Sequence, residues 1–145
     1  MRKLGGEAGQ WITASNEQEN ATQQLHAALA SAGQLTQQTS DQYHSLAAAF
    51  QATTTAADEQ LLPGMAKLVS IGGVQKQQMK ESTQAALDLA AGLKIDLDAA
   101  FGMVAKGAAG SMGMFGRYGI TIAESGNKSK DFTLLLKELQ NRFGG

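Results

Sequence analysis

Apolar residues recur along this chain at spacings of three and four, the period of amphipathic α-helices, and no alternation of strand and helix patterns is present. The first pattern predicts a helix over Glu7–Ala32 with a stop at Gly33. One seam of this helix holds its main apolar residues, which are Leu4, Ala8, Trp11, Leu25, Leu29 and Ala32. Polar residues occupy the middle of the seam, so we expect a long, weakly associating helix rather than a tightly packed one.

A second pattern predicts a helix from Thr36 to Thr53, so that residues 1–57 form an Ala- and Gln-rich helical hairpin. The apolar face of this helix consists of Tyr43, Leu46, Ala47 and Phe50. We expect the hairpin to self-associate through Trp11, Leu25 and Leu29, because the chain offers few large apolar residues to cover them.

Shorter helical patterns fill residues 58–145 and predict a cluster of short helices. Asp58 is expected to cap the first of them, with Pro63 tolerated only near its first turn, and Gly72-Gly73 to end it. The next helix, near Gln75–Leu93, is expected to bury Met79, Ala86, Leu87 and Ala90.

Two further helices are predicted, with Asp96 and Ser129 as their caps and Asp131 in the first turn of the last one. The core of the cluster is predicted to contain Leu68, Leu87, Leu97, Phe101, Val104, Phe115, Leu135 and Leu139. The expected fold class is therefore all-α, with an N-terminal helical hairpin, a cluster of short helices and a Gly-rich junction between helices.

The composition narrows the functions that fit. A net charge of −1 argues against a general nucleic-acid binder, and the lack of cysteine excludes disulfides and thiolate metal sites. No apolar run approaches the length that a membrane helix needs. Lysine and arginine are absent from Leu4 to Ala66, whereas basic residues outnumber acidic ones from Lys67 onward. This asymmetry indicates either two surfaces that meet, within one copy or between copies, or uneven sampling of solvated faces.

Candidate chemical sites are few. His26 and His44 lack neighbouring ligands at metal-like spacing; a hairpin would bring them together, yet ordinary, partly exposed histidines are expected. Asp96 and Asp98 lie at a helix start, where capping explains them better than acid–base chemistry. No serine, histidine and aspartate set or metalloprotease motif is visible. We expect no enzyme, cofactor or metal.

The stretch "GAAGSMGMFGRYG" places a glycine at every third position from Gly107 to Gly119. A phosphate-binding P-loop does not fit, because Lys106 precedes the first glycine and no strand pattern leads in. Collagen would need more repeats and proline, and the stretch is too apolar for a flexible linker. A tight helix–turn–short helix remains, with glycines at positive φ or at close contacts.

In this structural junction, Ser111 is expected to cap a short helix that carries Met114, Phe115 and Tyr118 inward. Arg117 is expected either to point outward or to bond to carbonyls at a helix end. Gly119 is expected to be left-handed, since it ends that helix. The predicted junction residues are Gly107, Gly110, Gly113, Phe115, Gly116, Tyr118 and Gly119.

Three motifs occur in order from Asp58 to the end: "DEQLLPGMAKLVSI", "ALDLAAGLKIDLDAAFGMVAKGAAGSMGMFGRYGIT" and "KSKDFTLLLKELQNRFGG". In them the chain resembles tail tape measure proteins of long-tailed bacteriophages and prophages. Members of that family often show a helix, a small-residue loop, a "RYGI" or "RLGI" turn and a helix ending "FGG". Many have a loop like "NGN-TGAL" where this chain has "GAAGSMGMF".

The resemblance implies a non-enzymatic virion component. Tape measure proteins are extended helical molecules that occupy the lumen of the growing tail, set its length and leave it during DNA ejection. The implied partners are further copies of the chain and tail-tube or tail-tip proteins, with no specific nucleic acid, small-molecule substrate or membrane contact. The implied location is the virion tail, after assembly in the bacterial cytoplasm. The ending "FGG" leads us to expect a segment of a longer protein or a prophage remnant.

Two other functions remain open. One is a stand-alone helical interaction module, either an assembly chaperone or a secreted helical-hairpin protein. The other is an embedded cell-wall hydrolase, which would need a catalytic glutamate or a histidine–aspartate site that the sequence does not reveal.

Overall fold

The computed structural model describes residues 19–54, 58–122 and 125–144, and all regular secondary structure in these ranges is helical. The all-α class is therefore confirmed. The described part of the first helix, α1, covers residues 19–31. The helices that follow are α2 (Gln37–Thr53), α3 (Asp58–Ser70), α4 (Met79–Leu93), α5 (Leu97–Ala108) and α6 (Lys128–Phe143). Short 3₁₀ helices, Lys76–Gln78 and Gly113–Tyr118, precede α4 and follow α5.

Left-handed residues end most of these helices, because such a residue turns the next amide back toward the last free carbonyls. Gly33 and Gly73, with φ of 73° and 65°, follow α1 and α3 as predicted. After Gly33, Gln34 N–H donates to the Leu29 carbonyl at 2.8 Å. Lys94 ends α4 in the same way, with φ of 56°. This left-handed conformation is energetically unfavourable for a residue other than glycine.

The helix starts are only partly those predicted. Thr36 caps α2, since its Oγ1 accepts a hydrogen bond from Thr39 N–H at 3.0 Å. Asn127 caps α6 by accepting from Lys130 N–H at 3.1 Å, so the prediction of Ser129 is wrong. Asp96 precedes α5 without making a side-chain capping bond. Pro63 lies inside α3, in its second turn rather than its first.

Buried residues from α1 to α6 form one apolar cluster, and α5 packs against α3, α4 and α6 at its centre. Six of the eight predicted core residues have no exposed surface: Leu68, Phe101, Val104, Phe115, Leu135 and Leu139. Leu87 and Leu97 are only partly buried. Leu89 fills the core position on α4, because two residues along a helix differ by about 200° in direction and only one of the two leucines can face inward.

Glycines in or next to α3 and α4 let the helices approach closely at three contacts. A Cβ at Gly64 would overlap the Phe101 ring, and one at Gly92 would overlap the Phe143 ring. At Gly72 it would come within 2.8 Å of the Ala105 carbonyl oxygen. We call these positions glycine sockets, since each holds a neighbour where a side chain would otherwise stand.

Candidate functional site

The glycine-rich stretch forms the turn between α5 and the second 3₁₀ helix. Gly110, with φ of 105°, ends α5, and Ser111 N–H donates to the Lys106 carbonyl at 2.9 Å. The short helix Gly113–Tyr118 then ends at Gly119, whose φ of 79° is the left-handed conformation predicted for it. Ile120 N–H donates back to the Phe115 carbonyl at 3.1 Å. Both helices therefore end in the same way, with a left-handed glycine followed by an amide that donates to a carbonyl five residues earlier.

The five glycines of the stretch do not share one role. Gly110 and Gly119 have positive φ. Gly107 serves packing instead, because a Cβ there would meet Leu135 Cδ2 at 2.5 Å and Phe115 Cε2 at 3.2 Å. Gly113 and Gly116 have neither a positive φ nor any atom within 4 Å of an added Cβ. The expectation that these two glycines serve backbone geometry or close packing is therefore wrong.

Only part of the predicted inward face reaches the core. Phe115 is fully buried, with its ring beside Gly107 of α5, whereas Tyr118 is 38% exposed, contrary to the prediction. A 3₁₀ helix rises about 2.0 Å per residue, so three residues carry Tyr118 about 6 Å beyond Phe115, where its hydroxyl meets solvent. Ser111 does not cap this helix; Met112 precedes it and no side chain makes a capping bond.

Five amides in or next to the junction donate to carbonyls of the chain itself. The N–H groups of Gly110, Ser111, Phe115, Gly119 and Ile120 all donate to carbonyls between Lys106 and Gly116, at 2.9–3.1 Å. A phosphate-binding loop instead needs successive amides that point at a ligand. These five amides therefore hold a packed turn and are not directed at a ligand.

Three cations border the junction. Lys128 lies over Gly110, with its Cε 3.3 Å from where a Cβ would stand, and Arg142 Nη1 is 3.6 Å from the equivalent position at Gly119. Arg142 also pairs with Glu138 at 2.9 Å, while Arg117 is exposed, which is one of the two placements expected for it. These charges form a basic rim on a surface that is otherwise a helix junction.

The two histidines meet where α1 and α2 turn back on each other. Their ring centroids are 5.9 Å apart in an edge-to-face arrangement. His26 Nε2 is 2.8 Å from Ser40 Oγ, and Ser40 is only 7% exposed. Residues 26 and 40 are equally distant from Gly33, which is the placement expected for two antiparallel helices.

Two residues of the surface expected to self-associate, Leu25 and Leu29, are buried. Leu25 and Leu29 have no accessible surface and belong to the apolar cluster of their own chain, together with Ala21 and Ala28. The expectation that these leucines lack partners in their own chain is therefore wrong. Trp11 lies outside the described residues, and self-association itself stays a prediction.

A groove of about 580 Å³ runs between α4 and α6. Its floor contains Ala85 and Leu136, and its rims carry Lys80, Lys137 and Asp88. Burial raises the pKa of the Asp88 carboxyl above its ordinary value, and a 2.9 Å hydrogen bond from Gln84 partly opposes that shift. The groove is a candidate contact surface with mixed charge.

The acidic pair at the start of α5 has a structural role. Asp98 Oδ1 is 2.7 Å from Lys67 Nζ, which ties α5 to α3 at the surface. Asp98 is largely exposed, so this ion pair contributes little to stability. Among the residues that the structure describes, Asp96 makes no side-chain hydrogen bond at the helix start.

In the described ranges, no three histidine, aspartate or glutamate side chains are grouped as a metal site. None of the helices described is both long and apolar enough to span a membrane. Comparisons of the chain with protein-family models, with curated proteins and with solved structures found no match.

Proposed function

We propose that this chain is a non-enzymatic segment of a phage or prophage tail tape measure protein. It would lie in the tail-tube lumen during assembly, where the length of the whole protein sets the length of the tail. The partners proposed are further copies of the chain and tail-tube or tail-tip subunits, and the location proposed is the virion tail.

The observation that carries this proposal is the construction of the junction within the segment that resembles tape measure proteins. The stretch from Gly107 to Gly119 closes two successive helix ends through backbone hydrogen bonds, and it buries Phe115 beside Gly107 of α5. Such a junction supports a packing role rather than ligand binding or catalysis. The all-helical chain agrees with the helical character of the family.

The fold also affects how this segment would contribute to tail length. A continuous helix rises about 1.5 Å per residue, but these helices fold back on one apolar cluster. In this conformation the segment would add much less length than its residue count allows. We therefore propose that it forms a packed bundle within a protein whose extended part measures the tail.

The test is made on tails purified from a strain that encodes this chain. Mass spectrometry of complete tails should detect peptides from residues 58–144, and tails that have ejected their DNA should lack them. In-frame deletion of the whole segment should change tail length measured by electron microscopy, or stop tail assembly.

Each competing function predicts another outcome. An assembly chaperone would be present in the lysate and absent from complete tails. A deletion strain that makes tails of normal length and number would overturn the proposal. A secreted hairpin protein would be found in the culture medium without any tail component.

A further inference from the structure

The histidine pair is a cluster of metal-ligating side chains that the proposed function leaves unused. His26 and His44 are the only histidines of the chain, and they come from two different helices. The turn at Gly33 brings their ring centroids to 5.9 Å with the rings 81° apart. Both rings are half-buried, so their edges remain accessible to small ions.

This separation suits one metal ion bound by two imidazoles. With metal–nitrogen bonds of about 2.0–2.1 Å and about 1.1 Å from nitrogen to ring centre, two rings on one ion have centroids about 5–6.4 Å apart. The lower limit applies to a tetrahedral angle at the metal and the upper limit to a linear one. The observed 5.9 Å lies within this range, so the two rings stand at a separation that one shared ion allows.

Ser40 supplies what a histidine ligand needs on its other nitrogen. A ligating imidazole usually donates its second N–H to an oxygen, which fixes the tautomer and the ring orientation. His26 Nε2 is 2.8 Å from Ser40 Oγ. When Nε2–H donates to that oxygen, the Nδ1 lone pair is free to bind a metal ion.

The charge along α1 and α2 also favours a cation. No lysine or arginine occurs from Leu4 to Ala66, and Asp41 lies three residues before His44, on the same side of α2. The described residues do not group three ligands here, so water would complete the coordination. Imidazole with water suits zinc, nickel or copper better than magnesium or calcium.

We propose that His26 and His44 form a two-imidazole site for a divalent transition-metal ion that bridges α1 and α2. The sequence analysis expected ordinary histidines even though a hairpin would bring the two together, because spacing along the chain does not show how close the two rings come. The site is independent of the proposed tail function. Its effect would be to fasten the hairpin in the folded chain.

The experiment is a calorimetric titration of the full chain with zinc chloride, paired with thermal unfolding at each zinc concentration. We expect saturable binding at one ion per chain and a Tm that rises with zinc. His26→Gln and His44→Gln should each weaken binding at least tenfold. Ser40→Ala should weaken zinc binding about 10-fold or more, because the His26 ring loses the hydrogen bond that orients it.

Gln38→Ala, an exposed change on α2, is the matched control and should bind zinc like the parent chain. Lowering the pH should weaken binding, because protons compete for the imidazole nitrogens. Copper(II) electron paramagnetic resonance should show two nitrogen ligands in the parent chain and one in either single variant. Equal zinc affinity in the double variant His26→Gln/His44→Gln, or no binding heat at millimolar zinc, would overturn the proposal.

Discussion

At the scale of single residues, the left-handed positions at the helix ends separate glycines that the fold requires from glycines that it does not. Gly119 has φ of 79°, and an added Cβ would meet nothing closer than 3.6 Å. Gly116, three residues earlier, has neither a positive φ nor a neighbour within 4 Å of an added Cβ. The two positions form a matched pair within one turn of chain.

We expect Gly119→Ala to lower the free energy of unfolding by about 1 kcal/mol or more, since alanine is strained at this φ. Gly116→Ala should change it by less than about 0.5 kcal/mol, or raise it slightly. Urea denaturation of both variants measures the difference. Equal losses in the two variants would mean that the left-handed conformation is not the cause.

The Tyr43 side chain buries a polar atom, its hydroxyl oxygen. Its side chain has no accessible surface, and its hydroxyl has no hydrogen-bond partner among the residues that the structure describes. Tyr43→Phe should raise the free energy of unfolding by about 1 kcal/mol, because a buried hydroxyl without a partner costs about that much. The exposed Tyr118→Phe serves as control and should change little. A clear loss of stability in Tyr43→Phe would show that the hydroxyl is bonded.

Burial also raises the pKa of the Tyr43 hydroxyl above its ordinary value of 10.0. The unfolded chain then loses this proton at a lower pH than the folded chain does. Stability should therefore fall as the pH rises above about 10. Tyr43→Phe removes that contribution, so its unfolding free energy should fall less steeply over the same pH range.

At the scale of helices, two neighbouring polar residues compete for one cap. Asn127 accepts a hydrogen bond from Lys130 N–H, whereas Ser129 lies one position inside the first helical residue, Lys128. Asn127→Ala should cost about 1 kcal/mol of stability, and Ser129→Ala less than about 0.5 kcal/mol. Thermal unfolding of both variants tests this assignment. A larger loss from Ser129→Ala would place the helix start two residues later.

The contact between α3 and α5 depends on a glycine socket. Gly64→Ala should destabilise the fold, because the new Cβ would overlap the Phe101 ring. Phe101→Ala alone should cost about 3–5 kcal/mol, since the ring is fully buried. In a double-mutant cycle, Gly64→Ala should cost less when Phe101 is already alanine. Strict additivity of the two losses would mean that the two sites do not interact.

Much of the helical architecture could be predicted from the sequence, and the misses have identifiable causes. Large apolar residues at spacings of three and four located Phe101, Val104 and Leu135 in the core, because few alternatives existed. On α4, alanine gives two faces similar apolar character, so the choice between Leu87 and Leu89 depended on tertiary contacts. Asn127 and Ser129 are both good caps, and local preference does not rank them.

The candidate junction was predictable to the same extent. Its breaks, and the conformation of Gly119, followed from glycine at the end of an apolar turn. The roles of Gly113 and Gly116 could not be predicted, since the presence of a glycine in the sequence does not show whether its φ is positive or whether a neighbouring atom is close. The burial of Leu25 and Leu29 could not be predicted either, because it depends on partners in distant helices.

At the scale of the whole molecule, α1 and α6 contribute to one apolar cluster. The predicted division at residue 57 stays a prediction, and the cluster bears on how the two parts unfold. A dimer formed through Leu25 and Leu29 would require α1 to leave its own core, which is an exchange of that helix between copies.

We expect a single cooperative unfolding transition, in which Leu25→Ala lowers stability by about 2–5 kcal/mol. Hydrogen exchange should show the loss in the amides of α5 as well as α1. Leu35→Ala, at a 45% exposed position between α1 and α2, is the control and should have little effect. Loss of protection confined to α1 and α2 would show that the hairpin unfolds separately.

The glycine sockets also constrain how such a chain can recombine with relatives. A socket and the ring that fills it lie on different helices, Gly64 with Phe101 and Gly92 with Phe143, so neither residue is useful alone. A crossover between the glycine and its ring takes the two residues from different parents. The chimera could then have a larger residue against the ring, which would overlap it, or a glycine without a ring, which would leave a cavity. Chimeras with crossovers outside Gly64–Phe143 should therefore survive more often than those inside it, whichever parent supplies the rest.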